Sequence, residues 1–232
     1  GGGGCAVASW GSGFFGQLGH GLDHPVLREP TVIERLLPQF VGGRIKQVFA
    51  GGMRSAIILD MDSSSSSYSS STSRKKQASS SSSSSKSKST RVFCWGANRM
   101  GQCGVEGGNR NAVPYPLPMV KVEHPETNKV INFQTLSLGK LHTIGLTDPH
   151  HDGGEVYTWG SATTGRCGHG DPPRRSSTTT TTHTTTSIGL HNKKKFTKSK
   201  TGTVTPRRVE SLKNLKIVQV SAGDGHSIAL SQ

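Results

Sequence analysis

Residues 11–16, Gly-Ser-Gly-Phe-Phe-Gly, match the G-x-G-x-x-G spacing with which a strand-to-helix turn holds a dinucleotide pyrophosphate. That chemistry needs a helix that begins at the last glycine, so that its N-terminus faces the phosphates. Gly19 and Gly21 follow closely, and so glycine-rich a segment cannot begin a stable helix. The equivalent segments after Trp95 and Trp159 lack the middle glycine. We therefore interpret residues 11–16 as a turn, and we expect no cofactor.

Two histidines stand beside hydroxyl residues, as a general base stands beside a nucleophile. They are His142, before Thr143, and His226, before Ser227. Nucleophilic catalysis would also need a third group that orients the base, and an oxyanion site. The same pair recurs at the same place in two segments, which favours a structural role. We expect each histidine to donate a hydrogen bond to the backbone and so to stabilise a strand connection.

Other potential metal ligands and nucleophiles are scattered. His150, His151 and Asp152 precede Gly153-Gly154, a pattern more typical of a hydrophilic hairpin loop than of a metal site. The four cysteines show no Cys-x-x-Cys spacing, so neither a zinc site nor a disulfide framework is predicted. The 14 carboxylates are too dispersed to indicate an acid–base pair. We predict no catalytic residue and no metal ligand, and we interpret two of the cysteines as small core residues.

The elements that position these residues are repeats. An apolar run, Trp-Gly, and then Gly-x-x-Gly about five residues later occur three times, each time around one of the three tryptophans. A pattern that recurs in this way indicates a repeat protein. The residues of this first motif are Trp10, Gly11, Gly16, Gln17, Gly19, Trp95, Gly96, Gly101, Gln102, Gly104, Trp159, Gly160, Gly165 and Gly168.

A second motif closes each unit in constant phase with the first. Its glycines align at Gly51, Gly139 and Gly223. Three residues later stand Arg54, His142 and His226, each followed by Ser or Thr. Runs rich in β-branched residues flank these glycines, which predicts two strands joined by a tight connection.

Two low-complexity tracts interrupt the repeats, at about residues 62–90 and 171–203. They are rich in Ser, Thr, Lys and Arg, and cannot bury enough apolar surface to offset the entropy of ordering, so we predict disordered insertions. Repeat 1 then covers about 5–61, repeat 2 about 91–149 and repeat 3 about 154–232. We expect the second insertion to lie in the long loop that the proline-bounded residues 25–38 form in repeat 1.

The remaining sequence predicts an all-β protein. The apolar fraction is 31%, and every predicted element is a short strand. Small sheets of this kind cannot bury their faces alone, so neighbouring units must stack. Repeats of about four strands are typical of a β-propeller, in which the tryptophans supply much of the apolar area.

The paired motifs, Trp-Gly-x(4)-Gly-Gln-x-Gly and Gly-x-x-His-Ser/Thr-x-x-Leu, resemble the repeats of the regulator of chromosome condensation family. The resemblance implies a seven-bladed propeller, so residues 1–232 would form a partial propeller of about three blades. A start at Gly1 and three repeats also suggest a fragment, with an oligomer that completes the ring as the alternative. Two positions depart from the pattern: Arg54 replaces His, and Arg166 replaces Gln.

The chain is strongly basic, with a net charge of +14. Twelve of its 28 lysines and arginines lie in the two tracts, five in the first and seven in the second. Such clusters can bind nucleic acid non-specifically, or an acidic partner. Tyr68 and Phe196 are the only aromatic residues there, which argues against base-specific recognition. Solvated insertions, or phosphorylation regions, are the alternatives.

The expected function is a non-enzymatic scaffold that binds a protein partner through the loops of the propeller. The resemblance implies a regulator of a small GTPase, of the guanine-nucleotide exchange type. The alternatives are a basic chromatin- or RNA-associated adaptor, and the propeller module of a larger ubiquitin-ligase or kinase chain. No apolar run is long enough to span a membrane, and we expect an intracellular protein, cytoplasmic or nuclear.

Overall fold

The computed structural model describes residues 5–61, 89–106, 111–170 and 202–232. These residues form antiparallel strands joined by turns. The strands are β1 (Ala8–Ser12), β2 (Val26–Val32), β3 (Arg44–Gly51), β4 (Arg54–Met61), β5 (Ser89–Ala97), β6 (Ala112–Pro118), β7 (Phe133–Leu138), β8 (His142–Thr147), β9 (Val156–Ser161), β10 (Gly202–Arg208), β11 (Ile217–Ala222) and β12 (Ser227–Ser231). The all-β prediction is confirmed.

The sheets do not coincide with the sequence repeats. Among the described residues, two sheets have four strands, in the orders β3-β4-β5-β6 and β7-β8-β9-β10. Each takes its first two strands from one repeat and its last two from the next. The strands at the two ends of the chain form the two-stranded sheets β1-β2 and β11-β12. The described strands amount to three blades, but they are arranged as two whole blades and two halves.

The fourth strands of the two four-stranded sheets contain proline, at three positions in β6 and at Pro206 in β10, as does β2 of the first two-stranded sheet, at Pro30. Proline lacks an N–H and is tolerated on an edge strand, where it also discourages further pairing. This corrects the interpretation of residues 25–38 as a loop, because β2 occupies residues 26–32. The loop of repeat 1 that matches the second insertion is therefore only residues 22–25.

The core lies within and between the two four-stranded sheets. It contains the buried side chains of Ile57, Leu59, Trp95 and Trp159, with Phe133 between the sheets. The ring of Phe133 lies 5.8 Å from that of Trp159. The innermost strands β3, β7 and β11 pack side by side, so consecutive sheets stack as propeller blades do.

Four short helical turns also occur in the described ranges, and the sequence did not predict them: Glu34–Leu36, α1 (Pro38–Val41), Thr163–Gly165 and Glu210–Leu212. None of the described helices is long and apolar enough to cross a membrane. β5 and β10 begin within the last two residues of the predicted insertions, at Ser89 and Gly202. The rest of both insertions lies outside the described residues.

Candidate functional site

The Gly-x-x-Gly turns are held by the side chain at their second position. Gln17 Oε1 accepts the backbone N–H of Phe15 at 2.8 Å, and Gln102 Oε1 accepts that of Met100 at 2.8 Å. Both glycines of each turn have a positive φ, for example 77° at Gly101, which glycine adopts without strain. Each turn therefore directs one backbone carbonyl towards the neighbouring strands.

That carbonyl accepts the same hydrogen bond in all three repeats. Ser55 Oγ donates to the carbonyl of Gln17 at 2.8 Å, and Thr143 Oγ1 donates to that of Gln102 at 2.8 Å. Ser227 Oγ donates to the carbonyl of Arg166 at 2.7 Å. The aligned hydroxyl residues of the second motif thus clasp the turn of the first motif. The second motif indicates that these hydroxyl residues are equivalent, but it does not identify the carbonyls that accept their hydrogen bonds.

The three tryptophans, which are equivalent in sequence, are not equivalent in the structure. Trp95 is buried, and its indole N–H donates to the carbonyl of Gln17 at 2.9 Å. Trp159 is equally buried, but its indole nitrogen has no partner among the described residues. Trp10, in the two-stranded sheet, is 61% exposed. The motif therefore packs as predicted only where a four-stranded sheet covers it.

Arg54 forms the junction between the two whole blades. It is buried, and its guanidinium donates to the carbonyls of Gln102, Gly139 and His142 at 2.6, 2.5 and 2.9 Å. It also donates to Thr143 Oγ1 at 2.5 Å. Burial lowers its pKa, and in the described part of the chain no carboxylate forms a salt bridge with it. The departure from the family pattern is therefore an interblade contact.

His142 occupies the same position at the next junction. Its Nε2 lies 3.0 Å from Ser227 Oγ, so it reaches the hydroxyl of the following repeat just as Arg54 reaches Thr143. A hydrogen bond with the backbone of His226 also acts on the ring, so the contact with Ser227 adds to the expected bond to the backbone. Burial, with the charges of Arg166 and Arg54, lowers the pKa of His142 to about 4. The ring is therefore neutral at neutral pH.

This geometry does not suit nucleophilic catalysis. The Ser227 hydroxyl proton is directed to the carbonyl of Arg166, so His142 Nε2 carries the proton of their shared bond. A general base would need a free lone pair there. His142 Nδ1 is buried and has no partner among the described residues, so it lacks the group that orients a catalytic base through this atom. His226, which immediately precedes β12, is exposed.

The cysteines pack as the sequence predicts. Cys103 and Cys167 are buried in the turns and Cys94 is buried in β5, whereas Cys5 is exposed; all four are free thiols. The hydrogen bond with Cys94, together with burial, raises the pKa of Cys103 well above its usual value. Burial likewise raises the pKa of Cys167. Across residues 5–61, 89–106, 111–170 and 202–232, no cluster of three or more His, Cys, Asp or Glu could hold a metal.

A cleft of about 1190 Å³ opens between the two four-stranded sheets, at the end opposite Arg54. Its polar lining has both signs of charge: it includes Lys46, Lys129, Asp148, Asp152 and Glu155. Burial and the nearby Asp148 raise the pKa of Asp152. The loops that line this cleft differ in sequence between repeats. The sequence motifs do not indicate it, because none of their residues reaches this end.

One wall of the cleft is held by a buried arginine with several acidic partners. Arg208 donates to Glu155 at 2.9 Å, to Glu126 at 3.0 Å and to Glu210 at 3.0 Å. Lys213 also pairs with Glu126, and together the two cations lower the pKa of Glu126 to about 2. The network links the β6–β7 loop to β9 and β10.

The two low-complexity tracts join the sheets at opposite ends. The first tract connects the end of β4 to the start of β5, at the end where the cleft opens. The second connects β9 to β10 at the end that carries the Gly-x-x-Gly turns.

The stacked blades and clasped turns define the class of the protein, a repeat protein of the β-propeller type. The profile of the Regulator of chromosome condensation (RCC1) repeat matches residues 6–58, 90–146 and 153–230. The chain belongs to this family.

The proteins to which this chain is similar are named for different functions. The chain is 26% identical over 142 residues to the human probable E3 ubiquitin-protein ligase HERC6, covering 61% of this chain and 10% of that protein. It is 25% identical to the ultraviolet-B receptor UVR8 of Arabidopsis thaliana, covering 98% of this chain and 35% of the receptor. In a solved structure, yeast RCC1 (Prp20) bound to Kap60 matches with a TM-score of 0.56 and 19% identity, covering 97% of this chain and 37% of that one. The chain thus spans a small part of its curated relatives.

Proposed function

We propose that this chain is a non-enzymatic protein-interaction scaffold, and that it binds a protein partner through the cleft between its two four-stranded sheets. One observation carries the proposal. The motif residues that could have done chemistry are engaged in turns and junctions, as the Arg54 and His142 contacts illustrate. The cleft is instead lined by loops that vary from repeat to repeat, where scaffolds of this kind place their specificity.

The charges of the cleft favour a protein over a nucleic acid. Lys46 and Lys129 are exposed and can pair with carboxylates of a partner. Asp148, Asp152 and Glu155 stand beside them and would repel phosphates. Mixed charges of this kind are matched by a complementary protein surface, which gives specificity and faster association.

The family supports a proposal for the class of partner. The resemblance implies regulation of a small GTPase, and one solved relative, yeast RCC1 (Prp20), is bound to a protein, Kap60. We therefore propose a small GTPase as the first partner to test, within the cytoplasm or nucleus. A ubiquitin-ligase role, as the name of HERC6 suggests, would reside in other domains of a longer chain.

A charge-reversal experiment tests the proposal. Lys46→Glu with Lys129→Glu reverses two exposed cations of the cleft, while Lys140→Glu reverses an exposed cation in the hairpin at the opposite end. The GTPase used is Ran, because the family resemblance implies exchange on a Ran-type small GTPase. Binding to nucleotide-free Ran and release of fluorescent GDP from Ran would be measured. We expect the affinity of the cleft variant to fall by about tenfold or more. The Lys140 variant should bind with the affinity of the unaltered chain.

Three outcomes contradict the proposal. If Lys140→Glu lost as much affinity as the cleft variant, the cleft would not be the binding site. If the unaltered chain did not bind Ran, this GTPase would not be its partner. Binding to a DNA duplex that weakens steeply with salt, and that persists in the cleft variant, would favour the basic adaptor instead. Because the chain carries a net charge of +14, DNA binding should be measured in parallel.

A further inference from the structure

Two cysteine side chains meet inside the first four-stranded sheet. Cys94 lies on β5, Cys103 lies in the Gly-x-x-Gly turn that follows it, and both are buried. Their thiols form a hydrogen bond with each other. Cys103 Sγ also lies 3.4 Å from the carbonyl oxygen of Ala97, so the turn folds back onto the end of its own strand. Repeat 2 therefore holds two thiols side by side within one blade.

The two positions also touch in the other repeats, where they cannot form a disulfide. The pairs at the equivalent positions in repeats 1 and 3 are Ser9 with Leu18 and Thr158 with Cys167. In both pairs the hydroxyl donates to the carbonyl of its partner, at 2.6 Å. Thr158 also forms a hydrogen bond with the thiol of Cys167. The contact thus belongs to the fold of the repeat, and only repeat 2 places a thiol at both positions.

The surroundings of Cys94 differ between repeats in the same way. In repeat 3 a histidine of the turn lies beside the hydroxyl, with His169 Nε2 at 2.9 Å from Thr158 Oγ1, and repeat 1 has the same arrangement. In repeat 2 the buried Val105 stands in the place of the histidine. Valine offers no hydrogen bond, so the thiol of Cys103 takes over the polar contact of Cys94.

A buried cation acts on both thiols. The charge of Arg54 interacts with Cys94 and with Cys103. The hydrogen bond from Cys103, together with this charge, lowers the pKa of Cys94, whereas the same hydrogen bond and burial raise the pKa of Cys103. The thiolate is the form of cysteine that attacks an oxidant, and a nearby arginine favours it. Cys94 is therefore the nucleophile of the pair, and Cys103 supplies the second sulfur.

We propose that Cys94 and Cys103 are an oxidative modification site, which hydrogen peroxide converts to a reversible disulfide. The Cys94 thiolate attacks the O–O bond and becomes a sulfenic acid, while the departing hydroxide takes up the proton that the thiol has lost. The Cys103 sulfur then attacks the Cys94 sulfur. The S–O bond breaks, and the second hydroxide leaves with the Cys103 proton as water. Two thiols are thus oxidised, and one peroxide is reduced to two waters.

The disulfide would lie directly beneath the junction between the two whole blades. Gln102 immediately precedes Cys103, and its carbonyl accepts hydrogen bonds from both Arg54 and Thr143. Oxidation therefore replaces a hydrogen bond next to this carbonyl by a covalent bond between the turn and β5. Hydrogen peroxide is little larger than water and reaches the buried thiols when the turn opens locally, whereas a bulky reagent does not.

Disulfide mapping on the folded protein tests the proposal. The protein carries Cys5→Ser, which removes the exposed thiol. After treatment with hydrogen peroxide it is unfolded, alkylated and digested with trypsin, which cleaves after Arg99 and so separates the two cysteines. We expect the peptides of Cys94 and Cys103 to be joined, Cys167 to be alkylated, and dithiothreitol to restore both thiols. The thiols of the pair should disappear about tenfold or more faster than that of Cys167.

Variants taken from the other repeats separate the chemistry from folding. Cys94→Thr and Cys103→Leu install the residues that repeats 3 and 1 carry at these positions, so both variants should fold. In each, the remaining thiol should be as slow to oxidise as Cys167. Cys167→Leu is the matched control and should form the disulfide at the rate of the Cys5→Ser protein. No linked peptides, linkage only after unfolding in urea, or linkage that involves Cys167 would each overturn the proposal.

Discussion

Arg54 carries a buried positive charge between the two whole blades; it donates three hydrogen bonds to the neighbouring blade and one to the β5–β6 turn of its own blade. A hydrogen bond from a charged group contributes about 1.5–3 kcal/mol to stability, and the cost of desolvating the charge opposes this gain. We expect Arg54→Ala to lower the free energy of unfolding by about 3 kcal/mol, because it leaves a cavity and unpaired carbonyls. Urea unfolding measures this loss.

Arg91→Ala is the control for that substitution, since Arg91 is an exposed residue of β5. We expect it to change the unfolding free energy by less than about 0.5 kcal/mol. Arg54→His should recover part of the loss, because the histidine at the next junction reaches the equivalent hydroxyl. If Arg54→Ala were as mild as Arg91→Ala, the junction would not depend on the guanidinium.

The buried ring of His142 makes stability depend on pH. Its folded-state pKa of about 4 lies below its usual 6.5, so the unfolded chain binds the proton more readily. The contribution is therefore complete above pH 6.5 and is lost as the pH falls towards 4. We expect the free energy of unfolding to fall over this window by at most about 3 kcal/mol from this residue. Unfolding curves at pH 7 and pH 4 measure it.

His142→Gln removes the titrating group and should flatten that part of the pH profile. His151→Gln, in an exposed loop, serves as the matched control and should leave the profile unchanged. An unaltered slope in His142→Gln would mean that the acid sensitivity arises elsewhere in the chain.

At the scale of the strands, Gly96 and Gly11 form a natural pair for testing interblade packing. Their φ values are 105° and 99°, but only Gly96 faces the backbone of another strand. Gly11→Ala should cost about 1 kcal/mol, from the left-handed conformation alone. Gly96→Ala should cost about 3 kcal/mol or more, because the methyl group also displaces the backbone. Thermal unfolding of dilute samples compares them, and equal losses would contradict the packing argument.

The Arg208 network joins elements that are distant in sequence. Removing a buried cation leaves its carboxylates without compensation, of which Glu155 is the least exposed. We expect Arg208→Met to lower the free energy of unfolding by about 2–3 kcal/mol and to weaken the protection of β10 amides. Arg207→Met, exposed on the same strand, should have little effect. If the two variants lost equal stability, the network would not stabilise the strand.

At the scale of the whole molecule, the two half-blades should open before the two whole blades. Every residue of β12 is exposed, whereas most of β4 and all of β8 are buried. In hydrogen exchange on dilute protein we expect β1 and β12 to exchange fast, and β4 and β8 to exchange slowly. Uniform protection would indicate that the half-blades are covered.

Local features were predictable because they depend on short stretches of chain. The paired motifs indicated the repeats, and the hairpin between β3 and β4 lies where the Gly51-Gly52 motif places it. The buried cysteines of the turns were predictable too, since they stand where Leu18 stands in repeat 1. Each of these inferences needed only spacing and the conformational preferences of glycine.

Non-local features were not predictable in this way. Arg54 looked like a departure from the motif, because its acceptors lie more than 40 residues away in sequence. The cleft and the Arg208 network draw on loops that share no pattern. The three tryptophans occupy equivalent positions in the sequence motif. Only Trp95 and Trp159, however, lie on strands that pair with another strand on both sides.

The amino-acid sequence by itself determined the number of repeats, their strands and turns, and the family, because these properties are encoded in local motifs that recur in phase. Only the tertiary structure decided which strands share a sheet. It divides each repeat between two blades, so that the turn of a repeat lies in one blade and accepts a hydrogen bond from a hydroxyl of the same repeat in the next blade. The physical reason is that a hydrogen-bond ladder is a property of a pair of strands, and the central pair of each four-stranded sheet, β4 with β5 or β8 with β9, takes one strand from each of two repeats.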